Sequence, residues 1–300
     1  MSELEFRRIT LADRERASSA LFRTGSRGCE CTFGNNFAWS EAFDIECAFL
    51  GEFYFCKLGR GENTRFTIPA GGDIAEGTRL LKEYCAEKGL RLRLFSDKPS
   101  ADIICAAFPE AQAVYSRDSS DYIYLAEELA ELKGKKFHAK RNHLNRFYEN
   151  DWSFEALTAE NISECMEMNE RWISENITPE SENREDKLEE ESVVKRSFAH
   201  FGELGYVGGV IRVNGVVQAF CFGEPCASGD CFVVHVEKAL REYQGTYAAI
   251  NREFVRSLGG RYKYINREED TGAENLRKAK LSYNPVFLEE KYDIYFGGTK

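Results

Sequence analysis

The residues with the clearest chemical potential lie near the end of the chain, in YKYINREEDTGAENLRKAKLSYNP at positions 262–285. Tyr262, Tyr264 and Ile265 supply an aromatic and β-branched run that reads as a strand. Glu268, Glu269 and Asp270 lead into a helix starting near Gly272, where carboxylates suit the positive end of the helix dipole, and Pro285 stops it. Leu276, Lys280 and Tyr283 fall at i, i+4 and i+7, so an ammonium and a phenol share one face with an apolar anchor. Lys280 is placed either to neutralise developing negative charge or a phosphate, or to pair with the acidic turn. Arg277 and Lys278 cluster beside that stripe and strengthen its anion-binding character. A second set lies in CFVVHVEKA at 231–239, where His235 and Glu237 alternate with Val234 and Val236 and are expected on the face opposite those valines. Either could take a proton from an attacking nucleophile; the alternative is a hydrogen-bonded structural pair.

These groups need a frame. YVGGVIRV at 206–213 and VVQAFCFGE at 216–224 flank Asn214-Gly215, a two-residue hairpin signal, and the His235 strand follows the turn Ser228-Gly229-Asp230. Next come the loop LREYQG and a helix with Tyr247, Ile250, Phe254 and Leu258 on one stripe, ended by Gly259-Gly260. The YKYIN strand, the basic helix and a strand around FLEEKYDIYF complete this half. The first half repeats the order: strands near 45–50, 53–58 and 64–69, a helix at 74–88 ending at Gly89, the strand LRLRLF, a helix near 100–107 and the strand DYIYL. Two halves on one plan predict an α+β protein of two tandem domains, 1–132 and 151–300, joined through a basic linker helix at 133–150. A chain of 300 residues, 43% hydrophobic, is ample for two cores.

Six Lys or Arg fall within fourteen residues of that linker, in a chain of net charge −10. If helical after Gly134, it sets Lys136, Lys140, His143 and Arg146 along one side and Phe137, Leu144 and Tyr148 on the neighbouring apolar stripe. With Arg141 these residues form a candidate cradle for phosphate on tRNA, coenzyme A or a lipid head group, or else a solvated helix face. The overall negative charge opposes sequence-blind binding to nucleic acid, so no DNA partner is expected. Residues 175–191 hold eight acidic side chains and read as a solvated excursion or lid. No apolar run of about 18 residues occurs and the N-terminus is charged, which points to a cytoplasmic chain without membrane span or signal peptide. The ten cysteines lie mostly in apolar runs without zinc-site spacing, so reduced, buried thiols and no metal are expected. Phe33, Phe37, Trp39 and Phe43 read as core rather than a base-stacking platform. No Ser or Cys carries a nucleophile signature, and Pro69-Ala70-Gly71-Gly72 lacks the spacing of a P-loop or a Rossmann fingerprint.

Several long segments resemble a known group. FGNNFAWSEAF at 33–43, LKGKKFHAKRNHLNRF, HVEKALREYQGTYAAINREF and YKYINREEDTGAENLRKAKLSYNP look like an uncharacterised bacterial family related to the C-terminal domain of phosphatidylglycerol lysyltransferase. That resemblance implies two GNAT-like (N-acyltransferase) domains in tandem, each a mixed, mainly antiparallel sheet flanked by helices, a plan shared with Fem-type aminoacyltransferases. It implies a site beside His235 and Glu237, with Tyr283 in the place of the general acid. The donor would lie at the Gln244-Gly245-Thr246 loop, with Tyr247, Val234 and Val236 beside it. Acetyltransferases carry Arg or Gln, two residues, Gly, one residue, then Gly or Ala to cradle the pyrophosphate; Glu242, Gly245 and Tyr247 stand there instead. The expected activity is transfer of an acyl or aminoacyl group, from coenzyme A or aminoacyl-tRNA, to an amine or hydroxyl, with no tightly bound cofactor. The alternative is a non-catalytic module that binds tRNA, a nucleotide or an anionic lipid head group.

Overall fold

A computed structural model of the chain describes residues 4–177 and 184–297. Its strands are β1 (Arg7–Arg8), β2 (Glu46–Leu50), β3 (Phe53–Leu58), β4 (Arg65–Thr67), β5 (Arg93–Asp97), β6 (Ala111–Leu125), β7 (Trp152–Ala156), β8 (Val207–Val213), β9 (Val216–Pro225), β10 (Cys231–Ala239), β11 (Tyr264–Asn266) and β12 (Phe287–Phe296). The local signals act as their chemistry requires. Asn214 and Gly215 take φ of 51° and 78°, which closes the β8–β9 hairpin with the twist its strands need. Asp73 caps the helix Ile74–Lys88 by accepting from the Glu76 N–H at 2.8 Å, and Gly89 ends it at φ 66°.

Each half runs through antiparallel strands into one parallel pair bridged by a crossover helix. In the first half β4 meets β5 (Phe66↔Leu94) across Ile74–Lys88; in the second β10 meets β11 (Phe232↔Ile265) across Thr246–Ser257. This is the α+β, tandem GNAT-like plan, but the halves share one 12-stranded sheet in the order β1-β2-β3-β4-β5-β12-β6-β11-β10-β9-β8-β7. The last strand of the chain lies between β5 and β6, while β6 meets β11 on its other edge. The core divides by sheet face rather than by chain half. Phe55, Phe66 and Leu81 share one cluster with Phe198, Phe220 and Val236, and Tyr124 and Phe147 share another with Phe232, Phe254 and Ile265.

β6 starts well before DYIYL. Between its pairs Ser116↔Lys291 and Asp121↔Glu289 it bulges, carrying Arg117 and Asp118 out of the ladder. That polar excursion hides the strand in sequence. Phe33 and Phe37 are core, whereas Phe43, stacked on Trp39 at 4.9 Å, is exposed. Of the expected acidic lid, residues 178–183 lie outside the described residues. The segment on either side is helical, Ile162–Asn176 and Arg184–Ala199, with Val193, Val194 and Phe198 buried in the second helix. No described helix is long and apolar enough to cross a membrane, and all ten cysteines are free.

A buried charge cluster ties the seam together. Lys291 of β12, fully buried, pairs with Glu30 and lies 3.5 Å from Asp121 Oδ2 on β6. That oxygen also accepts from the Cys29 N–H at 2.9 Å and Asn266 Nδ2 at 2.8 Å, which joins β11 and the Cys29–Cys31 turn to the same point. Removing one member of a buried ion cluster strands the others without partners. Lys291→Ala is therefore expected to cost about 3 kcal/mol in urea unfolding, whereas Lys278→Ala, at an exposed pair, should change stability by less than about 0.5 kcal/mol.

Candidate functional site

β10 and β11 pair through Val233↔Asn266 and then part. At the same level the β9–β10 ladder slips between Val234 and Val236, with His235 as the extra residue. A bulge resets the alternation of side chains. Val234 therefore packs with Phe232 and Phe254, while Val236 packs on the other face with Phe220 and Phe222. This corrects the expectation that both valines face one way and that His235 and Glu237 share the opposite face. His235 contacts Glu268 at 2.8 Å through Nδ1 and Glu224 at 3.0 Å through Nε2. Burial alone would lower its pKa, but these two carboxylates outweigh that and raise it to about 10, so His235 is a cation rather than a base at neutral pH. Glu237 accepts from Arg267 Nη2 at 2.8 Å and Asn251 Nδ2 at 3.0 Å. The pairs His235–Glu268 and Glu237–Arg267 span the parted strands, one on each face.

On the Glu237 face the structure gathers a compact polar set. Lys140 Nζ stands 3.8 Å from the centre of the Tyr283 ring, and the Arg267 guanidinium 4.7 Å from it. Arg267 Nη1 and Asn251 Oδ1 are buried and find no hydrogen-bond partner among the described residues. Burial, reinforced by Arg267, lowers the Lys140 amine to about 8; burial raises the Tyr283 hydroxyl to about 12 despite Arg267. Arg267 and Asn251 were not singled out from sequence. Arg267 ends the short YKYIN strand, and Asn251 interrupts the apolar stripe between Ile250 and Phe254, the one visible hint of a polar purpose on a buried face.

The other candidates have structural partners. Lys280 is buried, with Nζ donating to the carbonyls of Arg267 and Glu268, so it buttresses the acidic turn instead of offering charge to a substrate. Arg277 clamps Asp270 through Nε at 2.8 Å and Nη2 at 2.7 Å, and also reaches Asp118. Lys278 points outward to Glu274, and Leu276, 42% exposed, is not the apolar anchor expected of it. Lys136 pairs with Glu128, and Arg141 donates to the Leu132 and Gly134 carbonyls ahead of the helix His138–Phe147. His143 and Arg146 both meet Gln244, at 3.3 Å and 2.8 Å. Gly245 has φ 98°, and a Cβ there would come within 2.3 Å of the His143 carbonyl, so the basic helix sits directly on the Gln244–Tyr247 loop. Thr246 is buried and turned to the Tyr243 carbonyl, and Tyr247 accepts from Trp172 Nε1 at 3.0 Å. One edge of the basic helix thus leads from Tyr283, through Lys140, His143 and Arg146, to Gln244.

Comparison with known proteins places this architecture. Residues 22–295 match the family described as phosphatidylglycerol lysyltransferase, C-terminal. A conserved protein of unknown function from Bacteroides thetaiotaomicron VPI-5482 has a crystal structure that aligns with a TM-score of 0.91 and 36% identity, over 98% of this chain and 100% of that one. The structure of L-PGS from Bacillus licheniformis shares the fold, with a TM-score of 0.65 and 13% identity over 92% of this chain and 95% of that one. An uncharacterised protein of Mycoplasmoides gallisepticum is 22% identical over 184 residues, which span 60% of this chain and 57% of that protein. The family match runs through the junction helix and the whole polar set from Lys140 to Tyr283, and the chain belongs to the phosphatidylglycerol lysyltransferase C-terminal family.

Proposed function

We propose that the protein transfers an aminoacyl group from a charged tRNA to an amine or hydroxyl acceptor, at the opening between β10 and β11. The observation that carries this reading is Lys140 over Tyr283 beside Arg267, where the cationic edge of the junction helix meets the polar set. A phosphate-bearing donor lying along Lys140, His143 and Arg146 would bring its acyl ester to that point. The family's description, which names a lysyltransferase, supports an aminoacyl donor. The loop residues favour tRNA over coenzyme A, because Glu242 and Tyr247 stand where a pyrophosphate cradle carries Arg or Gln and a small residue.

In this reading the acceptor attacks the ester carbonyl carbon and passes its proton to Glu237, whose carboxylate has lone pairs beyond those used by Arg267 and Asn251. Arg267 Nη1 and the Lys140 ammonium stabilise the oxyanion. As the carbon–oxygen bond to the ribose breaks, Tyr283 gives its proton to the departing oxygen, and Glu237 returns the captured proton to Tyr283.

With radiolabelled lysyl-tRNA as donor, Lys140→Ala and Tyr283→Phe should each reduce transfer about 10²-fold without changing the unfolding transition; unaltered rates in both variants would sink the assignment. Salt-sensitive tRNA binding with no transfer would replace it with the binding-only role. The Lys140 charge is full well below pH 8 and fades above it. The transfer rate should therefore fall as pH climbs through about 8, and Lys140→Arg should abolish that fall.

A further inference from the structure

We propose that the first half of the chain binds a nucleoside monophosphate where β4 and β5 begin, with the phosphate on Arg65 and Arg93 and the base against Phe43. A cavity of about 460 Å³ opens there, and Phe43, Leu58, Arg60, Asn63, Arg65 and Arg93 contribute to its walls. All of its lining belongs to the first half of the chain, whereas Lys140 and Tyr283 meet beside the second half's strands. The strands build the anion end. β4 and β5 run parallel through the pair Phe66↔Leu94, both fully buried in the core, so Arg65 and Arg93, one residue earlier on each strand, stand side by side on the opposite face. Like charges set next to each other across a ladder repel.

One of the two arginines is neutralised and the other is not. Arg93 donates through Nε and Nη2 to Asp293 Oδ1 at 3.2 Å and 2.9 Å, which leaves Nη1 unengaged. Arg65, half-buried, lies over the Phe95 ring at 5.7 Å and has no hydrogen-bond or ion-pair partner among the described residues. Burial lowers its pKa, opposed by Asp293 and aided by Arg93, yet a guanidinium keeps its charge. The Arg65 fork, Arg93 Nη1 and the Asn63 amide offer more donors than the two oxygens of a carboxylate can use. A phosphomonoester, with three free oxygens and a charge of about −1.5 to −2, matches them. The aromatic end is equally fixed. Phe43, 40% exposed, stacks on Trp39 with planes 9° from parallel, so one ring face is held and the other is left to the cavity. Its carbonyl accepts from the Gly59 N–H at 2.9 Å. Gly59 takes φ 73°, and a Cβ there would come within 2.7 Å of the Asn63 carbonyl, so the β3–β4 loop closes tightly around the mouth. An aromatic face next to unpaired guanidinium suits a base joined to a phosphate, since every base has a face to stack.

This pocket does not depend on the transfer reading. Calorimetric titration of the full chain with adenosine monophosphate, adenosine and adenylyl-adenosine, whose phosphate is a diester, tests it directly. Saturable binding of the monophosphate is expected, with the other two at least about ten-fold weaker. Arg65→Met and Phe43→Ala should each weaken the monophosphate about ten-fold. Arg65→Met should also leave the melting temperature unchanged or raise it, because it relieves the repulsion from Arg93. No saturable heat with the monophosphate, equal affinity for adenosine or for the diester, or undiminished binding by Arg65→Met would overturn the proposal. Lys140→Ala should bind the monophosphate as the unaltered protein does; loss of binding in that variant would move the nucleotide to the junction helix and remove the pocket.

Discussion

Beyond Val233 and Asn266 the backbones of β10 and β11 no longer pair, and charged side chains take over the bridging. The rest of the candidate site depends on that handover. The slip at His235 turns consecutive polar residues to opposite faces of one strand, so a single element serves two chemically different environments. On one face His235 is held as a cation between Glu224 and Glu268 and acts as a strut. On the other, Glu237 and Arg267 hold each other while keeping capacity to spare, in Arg267 Nη1 and the remaining carboxylate lone pairs.

A site of this kind works only if its walls are fixed. β6 and β12 supply the fixity by threading the end of the chain into the first half's part of the sheet, locked by Lys291 among Glu30 and Asp121. Asp270 extends the same logic to the last helix. Burial would raise its carboxyl pKa, but Arg277 and the Tyr122 hydroxyl overcome burial and hold it well below the usual carboxylate range. Through that clamp, and through the Tyr124 hydroxyl on the Lys280 carbonyl at 2.8 Å, Glu274–Leu281 is set so that Tyr283 lies under Lys140. The shared sheet is thus what lets the helix His138–Phe147 reach the candidate site beside β10 and β11.

Much of this was legible in the residues themselves. The Asn214-Gly215 hairpin, the Gly89 stop, the strand at 231–239 and the cationic junction helix all announce themselves by turn chemistry and periodicity, because local physics decides them. The placement of the candidate side chains is less legible, since local pattern says nothing about a bulge. Strict alternation put His235 and Glu237 together, and one inserted residue in the ladder separates them. Lys280 looked like a free cation on a helix face, yet the carbonyls of Arg267 and Glu268 claim it from a turn more than ten residues earlier. Arg267 and Asn251 became visible only when β10, β11 and the helix Thr246–Ser257 were brought together. The shared sheet could not be read either, since the partner of β12 is fixed by which edge of β6 is open.

The most direct test is a competition experiment: equilibrium binding of charged tRNA to the protein, with coenzyme A titrated in as competitor, at moderate salt. If the junction helix guides tRNA to Lys140 and Tyr283 and covers the loop at Gly245, charged tRNA binds saturably, its affinity falls with salt, and coenzyme A does not displace it. Tight binding of coenzyme A in the absence of any tRNA affinity would contradict this, and would mean that the basic helix leaves the loop to admit a pyrophosphate.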